Sequence, residues 1–189
     1  MDDKDDNTLI QQYLSGDSKA FELLANRYKN GIFRFILGFC NNHSDAEDLL
    51  QEVFIKVIKG LRNFKGDAKF STYLFTIARN CCIDRHRKKS RIPEKDLDHE
   101  IVENFRHPEP DSPSDTIERS EIREIILKAV NKLPPEQKEA FLLKEESGAT
   151  IAEIAQIVDC PENTIKSRLR YAVRSLRLSL ENRLKGYLS

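Results

Sequence analysis

The sequence predicts an all-α protein of two helical domains joined by a flexible acidic linker, the second domain containing a helix-turn-helix. Three observations carry this expectation. The chain has only seven Gly and seven Pro in 189 residues, so the punctuation that separates short strands is sparse. Long stretches are rich in Leu, Ile, Ala, Glu, Lys and Arg, all good helix formers or residues common on helices. Charge cancels to a formal +0 over the whole chain but is unevenly spread.

The charge distribution sets the domain boundaries. Residues 1–88 hold fourteen Lys/Arg against twelve Asp/Glu, residues 89–116 four against eight, and residues 117–189 thirteen against eleven. The middle zone also carries Pro93, Pro108, Pro110 and Pro113. Acidity with spaced prolines favours an extended, solvated connection over a packed element. The expected organisation is therefore a domain over 1–90, a linker over 91–115 and a domain over 116–189. No apolar run approaches the ~20 residues of a membrane helix, and the acidic start MDDKDD is no signal peptide. A cytoplasmic protein without membrane contact of its own is expected.

The stretch SDAEDLLQEVFIKVIKGL opens the first strongly patterned helix. Ser44 with Glu47 three residues later reads as a capping box. Leu49, Leu50, Val53, Phe54, Val57, Ile58 and Leu61 recur at helical spacing and predict one apolar stripe. Asp48, Gln51 and Glu52 fall on the other side. A solvated face, a carboxylate metal site and a protein-docking face compete there, and spacing alone favours the solvated face. A turn-rich segment, RNFKGDAKF, follows, and Ser71 or Thr72 is expected to cap the next helix. Leu74, Ile77, Ala78 and Cys81 form its buried stripe. Arg85, Arg87, Lys88, Lys89 and Arg91 crowd its end, where the helix dipole favours cations, but five in seven residues exceed that need. Such a cluster beside Phe64, Phe70 and Tyr73 suits phosphate contact, with aromatics available for unstacked bases or for the core.

In the second domain, Ile117, Ile122, Ile125, Ile126, Ala129 and Val130 predict a helix from Asp115 to about Asn131. Pro135 starts the next one and Gly148 ends it. Thr150 with Glu153 forms a second capping box, opening a short helix that buries Ile151, Ile154, Ala155 and Val158. Asp159-Cys160-Pro161 breaks it, and Pro161 is placed to open the last helix. Two helices joined so tightly fit a helix-turn-helix. Ile165, Leu169, Ala172 and Leu176 keep one stripe apolar, while Lys166, Arg170, Arg174 and Arg177 form a basic stripe on another face. No acid interrupts the run from Asn163 to Arg177, as a helix lying between two rows of phosphates requires.

The cysteines, Cys40, Cys81, Cys82 and Cys160, form no C-x-x-C pair, so reduced, partly buried thiols are expected. Cys40 and His43 have the spacing of half a zinc site without a second half. The reading is of a binding protein with no catalytic residue, no metal and no cofactor. A stand-alone helix-turn-helix regulator is the main rival. A carboxylate metal nuclease around Asp45, Glu47, Asp48 and Glu52 is a distant one.

Three stretches, DAEDLLQEVFIKV, FKGDAKFSTYLFTIARNCCIDRHRK and LPPEQKEAFLLKEESGATIAEIAQIVDCPENTIKSRL, resemble in order the docking helix, melting segment and promoter-reading domain of bacterial RNA polymerase sigma factors of the extracytoplasmic-function group. The resemblance runs from about Leu9 to Arg177. It implies an alternative sigma factor that directs core polymerase to specific promoters. It assigns Asp48, Gln51 and Glu52 to the clamp helices of the polymerase largest subunit, against the solvated-face preference. It assigns the loop Asn63 to Phe70, with Phe64, Lys65 and Asp67, to capture of a flipped base of the minus-ten element. Asn80, Arg85, Arg87 and Lys88 are placed by it near the opening strand. Asn163, Thr164, Lys166, Ser167, Arg170, Tyr171 and Arg174 are placed on the minus-thirty-five element. Promoter DNA, the flap of the second-largest polymerase subunit and an anti-sigma factor are further implied partners, and the acidic linker would lie in the RNA exit path. The chain departs from the family pattern at Tyr171 and Val173, where basic residues are common, and at Tyr73, where Trp is frequent.

Overall fold

A computed structural model describes residues 4–89 and 117–184. Eight α-helices and one 3-10 turn account for nearly all of them, and no strand occurs among the described residues. Helices α1 (Asp6–Leu14) and α2 (Ser18–Cys40) precede the first helix that patterning marked out. Both have side-chain caps: an Asp5 carboxylate oxygen accepts from the Thr8 N–H at 2.7 Å, and one of Asp17 accepts from Lys19 N–H at 3.1 Å. Such caps satisfy donors that the first helical turn leaves without partners. Asp6 then ties α1 to α2 by accepting from both Arg27 and Tyr28.

The corner into α3 (His43–Gly60) differs from the expected one. Asn41 closes α2 in the left-handed conformation, φ 51°, which Asn tolerates better than most residues. Asn42 is the cap of α3, its side chain accepting from Asp45 N–H at 2.9 Å. Ser44 therefore sits inside the first turn and makes no capping box. The apolar stripe is narrower than its spacing suggested: Leu49, Leu50, Val53, Val57 and Leu61 are buried, but Ile58 faces solvent. The fourth helix, α4 (Phe70–Lys89), starts ahead of Ser71 and Thr72, so neither caps it. Phe35 and Phe75, both fully buried with rings 5.5 Å apart, join α2 and α4 at the centre of this bundle. Each such side chain stabilises the bundle by roughly 1.5–3 kcal/mol through burial.

The second bundle comprises α5 (Ile117–Asn131), α6 (Pro135–Ser147), α7 (Ile151–Val158) and α8 (Glu162–Leu184). Pro135 occupies the first helical position of α6 and Gly148 ends it at φ 63°. Ala129 and Val130 of α5 are buried while Ile126 is exposed. Both bonds of the Thr150–Glu153 capping box form, at 3.2 and 2.7 Å. Asp159 turns the chain at φ 57°, completing the helix-turn-helix of α7 and α8.

The two bundles are packed on each other rather than separate. Helix α6 lies on α2 and α4, α7 lies on α4, and a single apolar core runs through both bundles. Close approach depends on two glycines seven apart on α2. A Cβ on Gly31 would stand 2.8 Å from the backbone oxygen of Glu146, and one on Gly38 would stand 2.4 Å from Leu142 Cδ1. Ion pairs flank this seat, Arg34 Nε–Glu146 Oε2 at 2.6 Å and Arg79 Nε–Glu139 Oε1 at 2.8 Å. Burial raises the Glu146 carboxyl above its ordinary pKa, with Arg34 opposing the shift. The linker expected over 91–115 lies outside the described residues.

Candidate nucleic-acid interface

Three surfaces carry the residues singled out from the sequence. On α3, Asp48 and Gln51 are exposed and Glu52 is half-buried. Glu52 pairs with Lys56 at 2.8 Å, and that hydrogen bond holds its carboxyl below the ordinary range, with Lys88 and Arg85 adding to the effect. One turn beyond Gln51 and two beyond Asp48, Ile55 is 52% exposed. The face is thus an acidic patch with an apolar side chain beside it. Ile55 was missed because attention to the apolar stripe hides an apolar residue lying off it; its place three to four residues after Gln51 and Glu52 was the available signal.

The second surface follows α3. Gly60 is the last residue of α3, and the Tyr73 hydroxyl fills the space that a side chain there would need, 2.3 Å from where a Cβ would stand. A 3-10 turn, Leu61–Asn63, leads into the loop that returns to α4. Gly66, at φ +79°, makes the reversal that other residues resist. The loop borders a cavity of about 560 Å³ whose walls include Asn63, Phe64, Lys65, Asp67, Thr72 and Tyr73. Phe64 is half-buried, its ring 5.0 Å from Tyr73 and 6.0 Å from Phe70. Phe70 is 3% exposed and belongs to the core, so it is not available to stack on a base. Thr72 Oγ1 is buried with no hydrogen-bond partner, an unusual cost for a wall of this cavity.

The basic end of α4 divides between two directions. Asn80 is exposed one turn beyond the cavity-lining Thr76. Lys88 is exposed near the helix end. Arg85 instead reaches back to Asp45 at 3.1 Å, and with Arg87 it lines a second cavity of about 390 Å³ against Pro135, Glu136 and Glu139 of α6. The structure therefore brings Phe64, Lys65 and Asp67 to one pocket and leaves Arg85 on a different side of the helix.

The third surface is α8. Ile165, Ala172 and Leu176 are buried, which turns Lys166, Arg170, Arg174 and Arg177 to solvent. Asn163 is exposed beside them at the helix start, and Thr164 and Ser167 are half-buried. Lys166 is one turn from Glu162 at 3.7 Å. Arg170 lies over the exposed Tyr171 ring, 5.1 Å from its centroid, and donates to its hydroxyl at 3.4 Å. An arginine held on an aromatic face keeps its planar donor fork ordered for a base edge or phosphate.

The loop and the helix-turn-helix also meet. Gln156 of α7 forms part of the loop cavity's wall, and Lys69 Nζ is 2.9 Å from Glu153 Oε1. Sequence patterning gave no sign of this contact or of the Arg79–Glu139 pair, since both join residues distant in the chain.

Other candidates lie elsewhere. The His43 ring packs on Phe33 at 5.1 Å, its Nδ1 3.6 Å from Glu47, while Cys40 packs against the core. Among the described residues no group of three or more His, Cys, Asp or Glu is placed to hold a metal ion. No helix among them is long and apolar enough to cross a membrane. All four cysteines are unbridged, Cys81 and Cys82 being buried.

Comparison with known proteins gives consistent matches. Residues 24–92 match the family model for sigma-70 region 2, and residues 123–176 match that for sigma-70 region 4. The ECF RNA polymerase sigma-E factor of Haemophilus influenzae is 31% identical over 185 residues, covering 95% of each chain. That of Escherichia coli K12 is 33% identical over 172 residues, 87% of this chain and 88% of the relative. Among solved structures, the Bartonella quintana sigma factor RpoE, in complex with the anti-sigma factor NepR, aligns with a TM-score of 0.68 and 26% identity. The alignment covers 86% of this chain and 98% of that one. CnrH in complex with the cytosolic domain of CnrY shares the fold, at TM-score 0.68 and 22% identity.

Proposed function

Because the chain belongs to the extracytoplasmic-function group of the sigma-70 family, and so is an alternative, non-catalytic sigma factor for promoter-specific transcription initiation, we propose the following division of labour among its residues. Asp48, Gln51 and Glu52 dock α3 on the clamp helices of the polymerase largest subunit, with Ile55 adding apolar contact. Phe64, Lys65 and Asp67, with Asn80 beyond them, take a base of the minus-ten element into the loop cavity. Extruding a base costs a few kcal/mol of unstacking, which a shaped pocket with polar walls offsets. Arg87 and Lys88 hold the displaced strand through its phosphates. Arg85 contributes there only by leaving Asp45.

On α8, Lys166 and Arg170 read base edges of the minus-thirty-five element near the helix N-terminus, flanked by Asn163, Thr164, Ser167 and Tyr171. Arg174 and Arg177 lie further along and meet phosphate. The observation that carries this reading is the unbroken basic stripe of α8, turned to solvent by the buried Ile165, Ala172 and Leu176. An anti-sigma partner is part of the proposal, because the similar RpoE structure is a complex with the anti-sigma factor NepR.

Run-off transcription with purified core polymerase, on promoters from the chain's own genomic neighbourhood, tests the reading. A product starting at one position and needing both the chain and an intact asymmetric two-part element is expected. Tight binding of the chain alone to a palindromic duplex, with no effect on polymerase, would replace it with a stand-alone regulator.

A further inference from the structure

We propose that Cys40 is a modification site for quinones, which the cavity between α2, α4 and α6 collects and presents to its thiol. The site is independent of the polymerase and promoter assignments made above. The cavity has a volume of about 390 Å³, within the ~300–1,000 Å³ common for small-molecule sites. Phe39, Ile83 and Pro135 give it apolar walls, and the thiols of Cys40 and Cys82 lie among them. Arg85, His86 and Arg87 of α4 also line it, and their guanidinium and imidazole N–H groups donate hydrogen bonds. Arg85 shares its charge with Asp45 at 3.1 Å. Of the two carboxylates on the wall, Glu139 is neutralised by Arg79 at 2.8 Å, and Glu136 is exposed. A quinone matches this set. Its ring faces are flat and apolar, and the carbonyl oxygens at its edge only accept.

The two thiols differ in their fitness to attack. Cys82 is 3% exposed, and burial raises its thiol above the ordinary range, so it stays protonated. Cys40 is half-buried and is the last residue of α2. The negative end of the α2 dipole opposes a thiolate there, and the cations across the cavity act against it. Lys138 of α6 feels the charge of Cys40, and burial lowers its ammonium to about 8. A lysine so placed exchanges a proton with a thiol, ordinarily near ~8.5, at little cost. The Cys40 thiolate then adds through Sγ to a ring carbon of the quinone. One S–C bond forms, and the displaced π pair moves to a carbonyl oxygen. The thiol proton, by way of Lys138, and the proton of the attacked ring carbon end on the two quinone oxygens. The product is a hydroquinone thioether; nothing leaves, and no separate oxidant or reductant is consumed. The adduct fills the space between α4 and the start of α6, beside Arg87.

Treatment of the full-length chain with substoichiometric naphthoquinone under nitrogen, followed by peptide mass spectrometry, tests the site. Cys160 is the internal reference: it is also half-buried, but Asp159 and Glu162 line the same shallow depression beside it. Cys40 is expected to carry at least ten times more adduct than Cys160, each adduct adding the full mass of the quinone. Iodoacetamide, small and polar, gains nothing from the cavity, so with it the same ratio should fall at least fivefold. Ile83→Trp fills the cavity from a half-buried position on α4. It should bring the quinone ratio down to the iodoacetamide one while circular dichroism stays helical. Equal quinone labelling of Cys40 and Cys160, or one ratio for both reagents, would overturn the site in the wild type whether or not the variant folds. So would a quinone ratio left unchanged by the folded variant. A Cys40–Cys82 disulfide in place of the adduct would also overturn it, showing a dithiol that quinones oxidise rather than a thiol they alkylate.

Discussion

Glu52 illustrates how one side chain can serve both a fold and a surface. It accepts from Lys56 at 2.8 Å, and Lys56 also donates to Cys81 Sγ at 3.3 Å, so the proposed docking face of α3 is tied to a core thiol of α4. Asp48 has no such duty. Replacing both acids, Asp48→Lys with Glu52→Lys, is expected to cut co-purification with core polymerase at least tenfold while circular dichroism stays helical. Unchanged recovery of polymerase by a folded double variant would remove α3 from the interface. On α8 the expected effects separate reading from holding. Arg170→Ala should cost ~1–3 kcal/mol at the preferred minus-thirty-five element and flatten its sequence preference. Arg177→Ala should weaken all sequences alike and lower the salt slope by roughly one. Transcription from promoter variants at several salt concentrations distinguishes them; an equal loss on every variant for Arg170→Ala would make that residue a phosphate contact. The basic stripe was legible because helical spacing alone places Lys166, Arg170 and Arg174 together. Arg85 was not, since its partner Asp45 lies forty residues earlier and only the packing of α3 on α4 brings them within 3.1 Å.

At the scale of single elements, local chemistry explains what the sequence disclosed. The start of α7 was readable in full because a capping box needs only Thr150, Glu153 and the backbone between them. The start of α3 misled, because Ser44 and Glu47 have the same spacing but Asn42 reaches the Asp45 N–H first, following a left-handed Asn41 that no periodicity announces. Thr150→Ala should cost ~1 kcal/mol of stability, measured by denaturant unfolding. Glu153 adds a pH dependence. The Thr150 backbone N–H, and then Lys69, hold its carboxyl below its ordinary value of 4.5. Its folded pKa being depressed, its contribution is present above about pH 4.5 and disappears as pH falls through the folded value. The thermal midpoints of wild type and Glu153→Gln should accordingly differ at pH 7 and converge toward pH 3; a constant difference would show that the charge plays no part.

The whole molecule was the least legible scale. Prolines and acids over 91–115 suggested two separate domains, and the family models meet the chain in the same two blocks. What joins the blocks leaves almost no trace in periodicity. Two glycines add nothing to an apolar stripe, and Glu139 reads as one more surface acid on an amphipathic helix. Yet one core passes through both bundles. Calorimetry of the free full-length chain should therefore show one unfolding transition, with calorimetric and van't Hoff enthalpies equal. Arg79→Met strands Glu139 and should cost ~3–5 kcal/mol of bundle-bundle stability. Two resolved transitions are expected for that variant. Two transitions already in the wild type would mean that each bundle folds without help from the other.

The glycines of α2 bear on how such a chain can be improved. Gly in a helix interior weakens it by roughly 0.5–1 kcal/mol relative to Ala, so positions 31 and 38 are where an engineer seeking heat resistance would begin. Both exchanges would make α2 a better helix in isolation. At position 31 that would not make a better protein, because the backbone of α6 occupies the space the new methyl group needs, whereas at position 38 only the end of the Leu142 side chain would have to move. Selection for stability of the parts and selection for their union thus pull position 31 in opposite directions.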